Sequence, residues 1–302
     1  MASIYKHADE NIFKTWFLVT FFFVFVIVVG WLFSYIYGND FILIFAVLVS
    51  FLMSITSYWY SDRIVLSMAK AKLIEKKDNP DLYRLVENLA ITAGLPLPKI
   101  YVINEEQPNA FATGRNKNHA VIAVTHGLLE KLNKTELEGV IAHELSHIGN
   151  KDMLLSTVAV TLAGVIAMVS HMFLRASFLG GMGRRRDDND NLFFLLAGVI
   201  AAILSPIAAT LVQMAISRKR EFLADADGAL LTRYPEGLAL ALEKIAEDDT
   251  PLSTANTATS HLYIESPFRG EDKHNWFIKL FSTHPPIQER IKALRDMSAH
   301  NS

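Results

Sequence analysis

Two histidines and a glutamate lie within five residues of one another in the stretch HELSH, at His143, Glu144 and His147. Side chains four residues apart on an α-helix lie on one face about one turn apart, so the two imidazoles can bind a single ion. Glu144 is rotated by about 100° from His143 and can reach a water molecule on that ion without binding the ion itself. This HExxH pattern is typical of zinc hydrolases, in which the glutamate is the general base.

A catalytic zinc needs a third protein ligand and an open position for water. Glu221, in the stretch SRKREFLADADGA at 217–229, is the candidate. Asp225 follows four residues later, placed to hold the free ring nitrogen of a ligating histidine. Two plainer interpretations remain open: a surface His–Glu cluster on the first helix, and a Glu221 that pairs with Arg218 on a solvated helix.

Four apolar runs must position these residues, at 13–37, 41–60, 153–174 and 192–216. Each has the roughly 20 residues needed to cross a hydrocarbon core about 30 Å thick. His147 stands six residues before the third run and Glu221 five residues after the fourth. If those runs pair as antiparallel helices, crossing the membrane or only dipping into it, both ligands arrive at the same depth.

Lysines and arginines closely follow the second and fourth runs, and by the positive-inside rule these segments are cytoplasmic. Four arginines between the third and fourth runs disagree with this topology. The sequence predicts an N-terminal transmembrane hairpin (1–60), cytoplasmic helices with a small sheet and the HExxH helix (61–152), a second transmembrane or re-entrant hairpin (153–216), and a cytoplasmic helical part with the third ligand (217–302).

Within 61–152, a long amphipathic helix is expected from Ser61. Strands are expected at 99–103 and 119–125, with 109–114 able to pair with the latter. Thr135 is expected to start the HExxH helix, with Glu138 in capping-box spacing. The chain has no cysteine, which excludes disulfides and thiolate ligands, and its net charge of −2 without a basic stripe argues against nucleic acid as a partner.

With HELSH and EFLAD, NAFATG (109–114) upstream and STHPPIQER (282–290) downstream, the chain resembles the M48 family of zinc endopeptidases over nearly its whole length. The resemblance implies a mostly α integral membrane protein with a small β-sheet, and a gluzincin-type peptidase domain on the cytoplasmic side of four transmembrane helices. It implies one Zn²⁺ per chain. The implied residue roles are zinc ligands His143, His147 and Glu221, base Glu144, and Asp225 orienting a ligand.

The same resemblance implies substrate-binding roles for Asn109 and its strand neighbours Phe111 and Ala112. It also implies that His284 and Arg290 line the cleft, with His284 stabilising the tetrahedral oxyanion. Plainer interpretations make Asn109 a turn residue after Pro108, and His284 a residue at a helix start.

The expected function is therefore endopeptidase cleavage of damaged or misfolded membrane proteins, with Glu144 acting on a zinc-bound water. The expected location is the lipid bilayer of a bacterial inner membrane, as a multi-pass protein of stress-linked quality control whose active site faces the cytoplasm. Two alternatives stay open: a protease for C-terminal prenyl (CAAX-type) motifs, and a non-catalytic membrane scaffold or chaperone with a structural zinc. The sequence predicts no oligomeric state.

Overall fold

The computed structural model describes residues 2–159, 161, 162, 166, 218–250, 262–264 and 285–299. The first two apolar runs lie within these ranges. The third run is described only near its start and the fourth lies outside, so the second hairpin stays a prediction. The division of the chain into four parts stays a prediction as well.

The N-terminal part is a hairpin of two long helices, α1 (Ala2–Tyr37) and α2 (Asp40–Met68). The Asn39 side chain caps α2 by accepting a hydrogen bond from the Phe41 amide at 3.0 Å. The stretch Ile12–Trp31 and the whole of α2 are long and apolar enough to cross a membrane. The structure thus supports two apolar helices. The separate helix expected from Ser61 is wrong, because α2 runs unbroken through that residue and ends at Met68.

A four-stranded sheet follows, with strand order β1-β2-β4-β3. The three predicted strands are found, and a two-residue strand, too short to leave a pattern, was missed. Strand β2 pairs parallel with β4, and β3 pairs antiparallel with β4, which leaves β3 at one edge. The strands are β1 (Lys72–Leu73), β2 (Lys99–Ile103), β3 (Ala110–Gly114) and β4 (Ala120–Thr125).

Successive side chains of a strand point to opposite faces, so each face of the sheet has its own core. On one face, Val121 and Ala123 pack against Val65 and Leu66 in the last turns of α2. On the other face, Ile122 and its even-numbered neighbours join the main core beneath the helices. The end of the second apolar helix is therefore fixed directly to the sheet.

The remaining helices are α3 (Pro80–Thr92), α4 (His126–Lys131), α5 (Lys134–Gly149), α6 (Arg218–Thr232), α7 (Pro235–Glu247) and α8 (Ile287–Ala299). Helix α5 is buried along most of its length and carries the HExxH residues. Its capping box uses Asn133 and Glu136, so the predicted start at Thr135 with Glu138 was two residues late. Polar residues at both spacings made the sequence ambiguous there.

Candidate active site

Helices α5 and α6 approach each other closely at Gly228. A Cβ atom added there would lie 2.9 Å from the backbone nitrogen of His143, closer than real Cβ contacts allow. Only glycine therefore lets α6 pass the HExxH turn at this distance. This packing brings Glu221, about two turns earlier on α6, to the same place as the two histidines.

His143, His147 and Glu221 bring one potential ligand atom each into a small triangle, within 4.8 Å of one another. The Nε2 atoms of His143 and His147 are 3.2 Å apart, and the Glu221 carboxylate oxygens lie 3.9 Å and 3.7 Å from them. Zinc bonds of about 2.0–2.2 Å in tetrahedral geometry place neighbouring ligand atoms about 3.3 Å apart. The triangle therefore has about the size of a zinc site. Among the described residues, the group of side chains that could hold a metal ion here consists of His143, His147 and Glu221.

The other ring nitrogens of both histidines are held by buried carboxylates. Nδ1 of His143 lies 2.9 Å from Oδ1 of Asp225, and Nδ1 of His147 lies 3.1 Å from Oδ2 of Asp152. A carboxylate accepts, so each Nδ1 carries the hydrogen and each Nε2 presents a lone pair to the other ring. Two facing lone pairs at 3.2 Å repel unless a cation lies between them, and the donor set fits zinc.

In the metal-free protein a proton can serve as that cation. Burial acts to lower the pKa of His147, but the hydrogen bond to Asp152 and the charges of Glu221, Asp152 and Glu144 outweigh it and raise the pKa to about 9. The site thus attracts a positive charge in any form. A metal ion that binds at neutral pH must displace this proton.

Arg290 lies beneath the ligands and is fully buried. Its guanidinium donates two parallel hydrogen bonds to Asp225, at 2.8 Å and 2.7 Å. Burial acts to raise the pKa of Asp225, but Arg290 and the hydrogen bond from His143 outweigh it and hold the pKa at about 2. The carboxylate that orients His143 is therefore ionised at any physiological pH.

Glu144 is 2 % exposed and lies among the same charges. Burial raises its pKa above the usual value, an effect only partly offset by His143 and His147. A carboxylate whose pKa is raised takes up a proton more readily, as a general base must. Its carboxylate interacts electrostatically with His143, His147 and Glu221, and its role as the general base stays a prediction.

Of the residues predicted to bind substrate, Asn109, Phe111 and Ala112 lie in or next to edge strand β3, and all three side chains are buried. The Phe111 ring packs edge-on against Tyr263, 5.2 Å between centroids, on the α2 side of the sheet. The Ile264 amide donates to the Ala110 carbonyl at 3.0 Å. The outer edge of β3 thus accepts one backbone hydrogen bond, from the bend at Tyr263 and Ile264.

Arg290 donates to Asp225 and, at 3.1 Å, to the carbonyl of Ile264, and its Nη1 lies 3.7 Å from a carboxylate oxygen of Glu221. Its predicted place in a substrate cleft stays a prediction. His284 lies outside the described residues. Sequence reasoning missed Asp152 and Gly228. The available signal for Asp152 was a carboxylate five residues after His147. The available signal for Gly228 was a glycine seven residues after Glu221.

These features are those of a zinc metallopeptidase site, in a chain that also has a hairpin of two apolar helices. Residues 76–298 match the model of peptidase family M48. The chain is 49 % identical over 267 residues to a protease HtpX homolog of Thermococcus sibiricus, covering 88 % of this chain and 90 % of that one. It is 44 % identical to a protease HtpX homolog of Caldanaerobacter subterraneus, covering 98 % of each chain.

The crystal structure of S. mikatae Ste24p shares the fold with a TM-score of 0.50 at 18 % identity, covering 97 % of this chain and 67 % of that one. This chain therefore belongs to peptidase family M48, as a membrane zinc metalloprotease of the HtpX type.

Proposed function

We propose that this protein is an endopeptidase that cleaves damaged or misfolded membrane proteins at the cytoplasmic face of a bacterial inner membrane, using one zinc ion per chain. The observation that carries the proposal is the pair of Nε2 atoms 3.2 Å apart, each on a ring whose Nδ1 is held by a carboxylate. This arrangement suits a cation with an open position better than a structural site, which is closed by four protein ligands.

His143, His147 and Glu221 would hold a zinc ion, which would supply Lewis-acid polarisation of the scissile carbonyl and acidify the attacking water. Glu144 would take a proton from the attacking water and deliver it to the leaving amine. Asp225 keeps the His143 ring turned toward the ligand triangle. Arg290 keeps Asp225 ionised, and its burial favours this positioning role over contact with substrate.

Substrate is proposed to bind along the outer edge of β3, from Asn109 to Gly114. In an antiparallel pair alternate residues direct their N–H and C=O groups away from the partner strand, and the Ile264 contact marks Ala110 as one of them. Main-chain hydrogen bonds of this kind recognise an extended peptide with little dependence on its sequence. Asn109 and the backbones of Phe111 and Ala112 would hold it, and His284 would stabilise the oxyanion.

The orientation is proposed from the lysines and arginines that follow the apolar runs. The packing of the last α2 turns on the sheet supports an active site close to the membrane surface. An active site in this position could contact the exposed cytoplasmic segments of other membrane proteins.

The test uses purified full-length protein and a destabilised membrane protein in proteoliposomes. We expect cleavage that stops with chelator, returns with zinc, and is absent in Glu144→Gln protein that retains its zinc. Full activity of Glu144→Gln would contradict the proposed mechanism. A farnesylated C-terminal peptide forms the second arm, and cleavage of that peptide alone would replace the proposed substrate class with the prenyl-motif class.

A further inference from the structure

A cavity of about 370 Å³ lies between the end of α2 and the sheet, on the side of the sheet away from the zinc ligands' helices. A volume of this size falls within the range of small-molecule binding clefts, roughly 300–1,000 Å³, and has room for a phosphate group with its substituent. Its lining is basic and aromatic and includes Trp59, Arg63, Lys99, Tyr101, Arg115 and His119.

The cavity opens where the apolar part of α2 ends. Trp59 and Tyr60 are the last two residues of the apolar stretch, and their exposed fractions are 52 % and 48 %. Such rings prefer the headgroup layer of a bilayer. Nearly two turns later, Val65 and Leu66 are buried against the sheet, which would hold the cavity at the level of the lipid headgroups.

Positive charge in the cavity is not neutralised by the protein. Within the described ranges, Arg63, Lys99 and Arg115 form no ion pair with a carboxylate. Asp62 also lines the cavity, which leaves a net charge of about +2 on its walls. An unneutralised basic pocket beside an apolar helix end is suited to an anion presented by the membrane.

Arg115 is held in place for such an anion. Its guanidinium lies 4.4 Å from the centre of the Trp59 ring, and its Nη2 donates to Nε2 of His119 at 2.9 Å. Because a guanidinium has no acceptor, Nε2 of His119 accepts this bond, and Nδ1 of His119 lies 2.8 Å from Oδ1 of Asn116, to which it can donate. The other guanidinium donors remain for a ligand, in the planar arrangement that matches a phosphate.

We propose that this cavity binds the phosphate of an anionic phospholipid headgroup. The acyl chains would lie along α2 beyond Trp59, and Arg63, Lys99 and Arg115 would surround the phosphate. The bound lipid would fix the sheet, and with it the zinc site, at a set height above the hydrocarbon core. The inference does not depend on the catalytic mechanism or on the substrate class.

The test measures binding to the delipidated, zinc-loaded full chain in neutral detergent by calorimetry. The probes are dihexanoyl phosphatidylglycerol, dihexanoyl phosphatidylcholine and inorganic phosphate. We expect one phosphatidylglycerol per chain, bound more tightly than either other probe. The double variant Arg63→Gln/Arg115→Gln should bind it about 30-fold more weakly, equivalent to about 2 kcal/mol at about 1 kcal/mol per basic side chain.

The charge-matched control is Lys70→Gln/Lys117→Gln, two exposed lysines that do not line the cavity. It should bind phosphatidylglycerol as wild type does. If the arginine variant does not fold, Lys99→Gln, at an exposed strand position, should show about a fivefold loss. Equal weakening in control and cavity variants would overturn the proposal. So would phosphatidylcholine or inorganic phosphate binding as tightly as phosphatidylglycerol.

Discussion

Replacement of Asp152 by asparagine tests the role of the carboxylates around the zinc ligands. Asp152 accepts a hydrogen bond from His147 at 3.1 Å, and its side chain is 4 % exposed. Asparagine keeps the size and an accepting oxygen but removes the charge. We therefore expect Asp152→Asn to weaken zinc binding while the fold is retained.

The magnitude follows from the type of bond. A hydrogen bond to a charged group contributes about 1.5–3 kcal/mol, which corresponds to a factor of about 10–100 in affinity. The distance of 3.1 Å is long for a charge-assisted bond, so we expect the lower part, about 10- to 30-fold. Loss of such a partner in other metal sites has a similar cost.

Proton competition makes this loss depend on pH. The pKa of His147 in the metal-free protein is about 9, partly because of Asp152. His147 therefore has a lower pKa in the variant, and a smaller fraction of the variant carries a proton that zinc must displace at pH 7. The full loss should appear at pH 9, where little proton competes in either protein, and a smaller loss should appear at pH 7.

The assay is chelator-buffered zinc titration of purified full-length protein at both pH values. Asp248→Asn is the matched control, since Asp248 pairs with Lys131 away from the site, at 2.7 Å. It should leave zinc affinity unchanged. Equal zinc affinity of wild type and Asp152→Asn at pH 9 would refute the claim that this carboxylate orients the ligand.

Three further results are expected. Glu144→Gln should lower proteolysis at least about 100-fold without lowering zinc content, as measured by elemental analysis, because only the proton carrier is lost. Wild-type zinc affinity should rise about 10-fold per pH unit from pH 6.5 to about 9 and then level off, because His147 is protonated below its raised pKa; a flat profile in competition titrations would contradict this. Gly228→Ala should destabilise the protein by about 1–3 kcal/mol and weaken zinc binding, because its methyl group would push α6 from α5. Gly149→Ala is the control, because its added Cβ would meet nothing within 4 Å. It should change neither the stability measured by thermal unfolding nor the zinc affinity measured by competition titration.

The local part of the site could be predicted from sequence because helical spacing alone places His143, Glu144 and His147 together. Glu221 was found from its distance to the apolar runs and from the EFLAD pattern. Asp152 was missed because its position beside His147 depends on the direction that the chain takes after helix α5 ends. Lys151 adopts a left-handed conformation, with φ of 58°, and this reversal returns Asp152 to the His147 ring. No periodic pattern shows such a turn.

The place of Arg290 also could not be predicted. It contacts Asp225 across 65 residues of sequence, and only the packing of α8 on the other helices decides that its side chain is buried. The position of the helix α5 start was wrong by two residues, since Asn133 and Thr135 both suit a cap. Long-range packing and the choice between neighbouring caps are set by tertiary structure.

Anomalous diffraction at the zinc edge, from crystals of the zinc-loaded full chain, tests the central claim most directly. One peak per chain is expected within about 2.2 Å of Nε2 of His143, Nε2 of His147 and a carboxylate oxygen of Glu221. A peak that is absent from this triangle, or one whose coordination leaves out Glu221, would contradict the account.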